Sequence, residues 1–319
     1  MRRIAALAVA AGILVSVAAC SSTPTTASCG PSLTSGESSN AITASGDFGS
    51  ASVTAKFPTP LVPKNAEVSV LTQGTGPLIE KGHYVQFEVT QYDATTGAAS
   101  GAASASYVAS DESDLSKVFE CMNVGSRIAA VVPTSSGTYA FVFDLVHEFI
   151  GKADGAEQPP VAGLPQVVTA PDGTPGITVA NLPIPTSVTS AVLKAGNGTA
   201  IAKGDTVYMK YTVFDWSETK EADGSTSHTA TVGKTVWGTA ASGAAPITAT
   251  AGPYDATAQT GFFPGTDAAL MGQKVGSQVI VVVPPADSYP STATPGDNVA
   301  TGSTRVYVID ILDVVAPAK

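Results

Sequence analysis

The chain has 319 residues and a formal net charge of −10, with 13% of residues charged and 44% hydrophobic. That apolar fraction argues against a wholly disordered polypeptide. An acidic chain with no Lys/Arg run beyond Arg2-Arg3 argues against a nucleic-acid partner, and three His and three Cys leave little material for a metal site, so none is expected.

Arg2 and Arg3 precede an uncharged, Ala/Val-rich stretch from Ile4 to Ala19. This is the pattern of a secretory signal, slightly short for a membrane span. It ends in Val17-Ala18-Ala19-Cys20, which resembles a bacterial lipoprotein box. The resemblance implies cleavage before Cys20 and a lipid on its sulfur. Residues 1–19 are then a signal peptide, and lipidated Cys20 anchors the chain outside the cytoplasmic membrane. An ordinary A-x-A-type cleavage site is the alternative. Cys29 and Cys121 remain, and two Cys in an exported protein suggest a disulfide; two free buried thiols are the alternative. Residues 20–45, rich in Ser and Thr, read as a flexible tether.

The rest of the chain says nearly the same thing twice. Val70-Leu71-Thr72-Gln73-Gly74-Thr75-Gly76 matches Val192-Leu193-Lys194-Ala195-Gly196-Asn197-Gly198. Ile79-Glu80-Lys81-Gly82-His83 matches Ile201-Ala202-Lys203-Gly204-Asp205. Asn123-Val124-Gly125-Ser126 matches Lys274-Val275-Gly276-Ser277, and Phe141-Val142-Phe143-Asp144-Leu145 matches Tyr307-Val308-Ile309-Asp310-Ile311. Two copies at this spacing predict paired domains, at 46–151 and 170–316, joined by a Pro-containing linker over 152–169. Alternation over Thr206–Val213 and Arg305–Leu312, and the β-branched run Val279–Val283, predict strands. One short helix is expected near Thr266–Met271, ahead of the stop at Gly272. The expected class is α+β: two antiparallel sheets, each twisted and wrapped on a short helix.

Five ordered pieces of the second copy resemble FKBP-type peptidyl-prolyl isomerases. They are V-L-K-A-G-N-G, A-K-G-D-T-V-Y-M-K-Y-T, F-F-P-G-T-D-A-A-L-M-G-Q-K-V-G-S, V-V-V-P-P-A-D-S-Y and T-R-V-Y-V-I-D-I-L-D-V. A tandem pair behind a lipobox is similar to a group of actinobacterial lipoproteins. The resemblance implies that proline-containing polypeptides are the partners and that no cofactor is used. Position by position, Tyr211 matches the aromatic of the first long strand, and Tyr307 the last-strand Phe. Phe262 and Phe263 match the pair whose backbone binds the peptide. Tyr289 matches the tyrosine whose hydroxyl bonds a substrate carbonyl. Val236 and Ile247 stand at usual Phe positions. Two positions depart from the pattern: Trp237 replaces the pocket Asp, and Thr266 replaces the floor Trp. The departures leave Trp237 able to refill the cavity from the opposite wall. The first copy is much shorter between Gly82 and Asp144 than the second between Gly204 and Asp310, and Val89 replaces Tyr211. It reads as a degenerate, non-catalytic copy.

Other motifs fail. Val232-Gly233-Lys234-Thr235 resembles the end of a phosphate loop, but His228 stands where the first Gly is needed. His83, His147 and His228 are scattered. Three readings stay open: an exported, monomeric prolyl isomerase assisting secreted or envelope proteins; a peptide-binding, chaperone-like lipoprotein on the same fold; and a plain envelope-binding module.

Overall fold

The computed structural model describes residues 33–50, 53–80, 82–108, 114–119, 121–179, 181–237, 245–289 and 296–317. The signal-like segment, Cys20 and Cys29 lie outside the described residues. In chain order the first copy contains α1 (Glu37–Asn40), β1 (Thr43–Ser45), β2 (Thr54–Lys56), β3 (Glu67–Thr72), β4 (Tyr84–Asp93), β5 (Ala99–Val108), α2 (Asp114–Phe119), β6 (Arg127–Thr134) and β7 (Gly137–Phe149). The second contains β8 (Ala156–Glu157), β9 (Gln166–Thr169), β10 (Pro175–Thr178), β11 (Thr189–Ala195), β12 (Thr206–Lys220), β13 (Thr226–Thr235), β14 (Ile247–Thr250), α3 (Asp267–Leu270), β15 (Gln278–Val283) and β16 (Thr304–Val315).

The first sheet has the antiparallel order β3-β6-β7-β4-β5. The second has β13-β12-β16-β15-β11-β8, with β14 also paired to β12. The five core strands of each copy follow the same order, so the sequence repeat is a repeat of topology. Irregularities repeat too. The register shift between Val70 and Thr72 recurs between Val192 and Lys194, and that between Gln86 and Phe87 recurs between Tyr208 and Met209. The Gly74 amide donates to Ser126 Oγ at 2.9 Å, and the Gly196 amide to Ser277 Oγ at 3.0 Å. A Cβ at Gly74 would stand 2.3 Å from the Val124 carbonyl oxygen, and one at Gly196 2.2 Å from that of Val275. No other residue fits so close an approach, which is why both copies carry glycine there. Gly196→Ala is therefore expected to cost about 1–3 kcal/mol by forcing backbone apart. A lower urea midpoint would register it, and an unchanged midpoint would show that the contact relaxes freely.

The α+β expectation is corrected to a mostly-β fold. The described α-helices span only 4, 6 and 4 residues, and one 3-10 turn covers Pro285–Asp287. Helix α3 falls inside the expected 266–271 and buries Leu270, but Pro264-Gly265 before it and Gly272 after it, both glycines at positive φ, leave it no room to extend. What packs the sheets is largely other strand-bearing chain. One face of the second sheet carries Met209, Tyr211, Val213, Val281, Tyr307 and Ile309. The opposite face carries Phe214, Trp216, Ile280, Val282, Val306 and Val308, covered by Leu164, Val167, Ile177 and Leu182 around the β9–β10 hairpin. Burial on both faces explains why Val279–Val283 shows no alternation.

The first sheet is covered in the same way. Ile42 and Val53, from the β1–β2 region, pack on Ala129, Val131, Ala140 and Val142. The Tyr92 hydroxyl donates to the Val53 carbonyl and accepts from the Ala55 amide. The described part of the expected tether, 33–45, thus carries α1 and β1, and the expected linker 152–169 carries β8 and β9. Both read as spacers because their apolar residues are sparse and punctuated by Ser, Gly and Pro. One buried aspartate ties each cover to its sheet. Asp144 Oδ2 accepts the Gly49 amide at 2.8 Å, and Asp310 Oδ2 accepts the Ala153 amide at 2.7 Å. Asp144 also holds Arg127, whose Nε is 2.6 Å from Oδ1 and Nη2 2.8 Å from Oδ2. Asp310 instead accepts Gln278 Nε2 at 2.8 Å.

From Pro31 onward the two copies form a single compact unit. Tyr84 stacks on Phe149 at 5.1 Å, and Phe149 lies 5.0 Å from Tyr208 of the second copy. Gln86 Nε2 donates to the Tyr208 hydroxyl at 2.9 Å, and His147 Nε2 lies 2.6 Å from Asp313 Oδ2. The hydrogen bond to Asp313 raises the His147 pKa against the opposing effect of partial burial. Its folded value therefore exceeds the unfolded value near 6.5. The contact stabilises fully below that unfolded value and is lost as pH climbs through the folded one. His83, raised chiefly by its hydrogen bond to Glu148, behaves the same way. Melting temperatures are accordingly expected to drift downward by a few degrees from about pH 5.5 to about pH 8.5. His147→Gln should flatten part of the slope; an identical slope in the variant would discount the contact.

Candidate active site

Tyr211 on β12 and Tyr307 on β16 project from the same face of the second sheet, with ring centroids 6.4 Å apart. Phe263 comes down on both. Its ring lies 4.8 Å from Tyr307, nearly parallel at 11°, and 4.6 Å from Tyr211. The backbone is pinned: both the Thr266 amide and Thr266 Oγ1 donate to the Phe263 carbonyl, at 3.0 and 2.8 Å. Thr266 is fully buried. It does not line the cavity as a floor; it braces the turn. Tyr211 and Tyr307 are consequently buried beneath Phe263, at 5% and 1% exposure.

A cavity of about 300 Å³ opens beside this stack, lined by Met209, Ile247, Tyr254, Phe262, Phe263 and Tyr289 among others. Tyr254 meets Tyr289 edge-on, at 5.3 Å and 80°. Phe262 is anchored by its amide, which donates to the Gly252 carbonyl at 3.0 Å, and Ile247 pairs with Met209 across β14 and β12. Val236 donates its amide to the Tyr211 carbonyl at 3.0 Å and packs on the same cluster.

Trp237 is not brought to the cavity. A Cβ on Gly173, in the β9–β10 turn, would stand 2.2 Å from its ring, and Lys210 Nζ sits 4.6 Å from its ring centroid. Lys210 Nζ is also 5.1 Å from the Tyr84 ring centroid. Lys210 alternates with Tyr211 along β12, so Trp237 covers the opposite face, where it sandwiches a buried lysine against the first copy. The idea that it refills the pocket is overturned.

Burial pushes the Tyr211 hydroxyl up to about 12, and those of Tyr289 and Tyr307 further still. All three stay neutral donors at any physiological pH. Among the described residues, no protein group hydrogen-bonds the Tyr289 hydroxyl or the Phe263 amide. The sequence reading missed a buried ion pair beside them, Arg305 with Asp297, Nε to Oδ2 at 2.8 Å. The available signal was a charged residue two positions before Tyr307, directly ahead of the run Val306-Tyr307-Val308-Ile309. A larger groove of about 980 Å³ lies under residues 158–169, against Leu193 and Ile280; it contains none of the expected site residues. Among the described residues no helix is long and apolar enough to cross a membrane.

The second sheet thus presents aromatic side chains beside a small cavity, with an unpartnered amide and an unpartnered tyrosine hydroxyl at its wall, and among the described residues no cluster of His, Cys, Asp or Glu could hold a metal ion. Residues 197–312 match the model of the FKBP-type peptidyl-prolyl cis-trans isomerases. The chain is also similar to the crystal structure of the three FKBP domains of wheat FKBP73, at 16% identity over 79% of this chain and 96% of that one, with a TM-score of 0.29. It is similar to FkpA from Escherichia coli at 22% identity over 47% of this chain and 52% of that one, with a TM-score of 0.28. No curated protein matches it.

Proposed function

We propose that the chain is an exported, lipid-anchored peptidyl-prolyl isomerase that assists folding of secreted or envelope proteins, and that the cavity between Phe263 and Tyr289 is where it acts. The observation that carries this reading is the free Phe263 amide and free Tyr289 hydroxyl beside an aromatic wall. An X–Pro bond crosses a barrier near 18–20 kcal/mol over tens of seconds unaided. No covalent bond changes, so no acid, base or nucleophile is needed. The twisted amide has a less polar carbonyl than the planar one, so a water-poor aromatic wall favours it. The two donors hold the flanking carbonyls while the proline ring rotates against Phe263. About 4 kcal/mol of such preference gives a thousandfold acceleration. A protease-coupled assay on X-Pro tetrapeptides tests the reading. The native chain should accelerate isomerisation and Tyr289→Phe should lower the rate several-fold, as loss of one hydrogen bond of about 0.5–1.5 kcal/mol implies. No acceleration by the native chain would dismiss the enzyme reading.

One observation favours a second reading: the Phe263 ring already fills the space over Tyr211 and Tyr307, which suits a peptide-holding, chaperone-like protein without turnover. The first copy reads as non-catalytic because β6 and β7 join through the tight Ser135-Ser136 turn, whereas residues 284–303 separate β15 from β16 and carry Tyr289 and Asp297. Export and anchoring rest on the lipobox, so Cys20→Ser should release the chain into the medium; retention of the variant in membranes would refute the anchor. Cys121 is disulfide-bonded, and non-reducing mass mapping is expected to join it to Cys29. Recovery of Cys29 as an alkylated thiol from the native protein would disprove that pairing.

A further inference from the structure

Arg305 and Asp297 form a buried pair for which the reading above has no use. They are only 4% and 6% exposed. A buried ion pair is costly to desolvate and often replaceable by apolar residues without loss of stability, so its presence asks for a reason other than stability. Arg305 stands two residues before Tyr307 on β16, so both project from the same face of the sheet. Its guanidinium is spread over four partners: Nε donates to Asp297 Oδ2 at 2.8 Å, Nη2 to Asp297 Oδ1 at 3.3 Å and to the Val299 carbonyl at 3.4 Å, and Nη1 to Ser288 Oγ at 3.0 Å. The guanidinium carbon stands 5.3 Å from the Tyr289 ring centroid. Asp297 Oδ1 also accepts the Val299 amide at 3.1 Å. The pair therefore grips both ends of the loop that presents Tyr289, residue 288 on one side and residues 297–299 on the other. Tyr254 meets the Tyr289 ring edge-on, and among the described residues the hydroxyl has no protein partner. In the first copy the position equivalent to Arg305 is Tyr139, on a strand that leaves a two-residue turn; the copy without the loop is also the copy without the arginine.

We propose that Arg305, fixed by Asp297, is a positioning residue that holds Tyr289 with its hydroxyl aimed into the cavity at a substrate carbonyl. The proposal rests on the reading of Tyr289 as a substrate donor. A lysine cannot replace this arginine, because an ammonium lacks the planar fork that meets Asp297, Ser288 and Val299 together.

The full-length chain is compared with three variants: Arg305→Lys, Arg305→Leu with Asp297→Leu, and Tyr289→Phe. The double apolar variant removes the pair without stranding a charge, so it keeps the fold if the lysine variant does not. Two readouts are taken on folded protein. In ¹³C-tyrosine NMR spectra, the resonance absent from Tyr289→Phe identifies Tyr289; it should move toward its random-coil position in the Arg305 variants. In the isomerisation assay, kcat/KM should fall several-fold in each Arg305 variant, with no further loss when Tyr289→Phe is added, because both act through one hydroxyl. A Tyr289 resonance that stays in place in both Arg305 variants would overturn the proposal, as would losses that multiply. If the resonance moves but the wild-type chain shows no turnover, the positioning role stands and the isomerase reading falls.

Discussion

Phe263→Ala is expected to lower kcat/KM for an X-Pro tetrapeptide by about one to two orders of magnitude, corresponding to about 1.4–2.8 kcal/mol of lost transition-state preference. The ring is the aromatic surface that the cavity presents, stacked on Tyr307 and tilted against Tyr211. Without it the wall recedes to side chains too deep for a proline ring to reach while its carbonyls meet the Phe263 amide and Tyr289. The variant should also lose about 1–3 kcal/mol of stability from two aromatic contacts, so rates must be read well below its melting temperature. The opposite result has a definite meaning. A faster variant would make Phe263 a plug and Tyr211 with Tyr307 the true prolyl site. The double anchoring of the Phe263 carbonyl by Thr266 favours the wall over the plug.

The largest loss of stability is expected at Asp144. Asp144→Ala would strand the Arg127 guanidinium, which is 8% exposed, without its carboxylate and would free the Gly49 amide. Breaking a buried pair from one side costs about 3–5 kcal/mol. Asp310→Ala, at the matching place in the second copy, strands the neutral Gln278 and Ala153 amides and removes a nearby charge from buried Lys210, which Asp310 faces across β12 and β16 without a direct ion pair. That should cost about 1–3 kcal/mol. Denaturant midpoints of the two variants decide the matter: equal losses would show that the stranded arginine is not the source of the difference.

The repeat was legible because its strongest constraints are local. Gly74 and Gly196 sit where no Cβ fits, and such positions leave glycine in both copies whatever else drifts. Tyr211, Phe263 and Tyr307 were legible as a set because strands of known direction carry two of them and a short turn carries the third. What stayed hidden depends on partners far away in the chain. Trp237 looks like a pocket residue until Gly173 and Lys210 are placed against it. Arg305 and Asp297 were hidden for another reason: they are only eight residues apart, but Asp297 lies outside every strand and helix, and irregular backbone has no periodicity to read. The outer covers were misread as tether and linker because they carry few apolar residues each, and only the sheets they lie on give those residues a purpose.

The placement of the second cover sets where the chain can be divided. The stretch that matches the isomerase family starts at residue 197, yet Ala153, β8 and the β9–β10 hairpin all precede it. A fragment begun at the family boundary would lack β11 as well and would bare Phe214, Trp216, Ile280, Val282, Val306 and Val308 to water. An apolar surface of that kind drives self-association. A soluble fragment of the second copy is expected to begin at or before Lys152, so the natural cut falls ahead of the Pro-rich stretch instead of after it. Aggregation of a fragment begun near residue 197 would then report a missing lid and say nothing about the catalytic competence of the site.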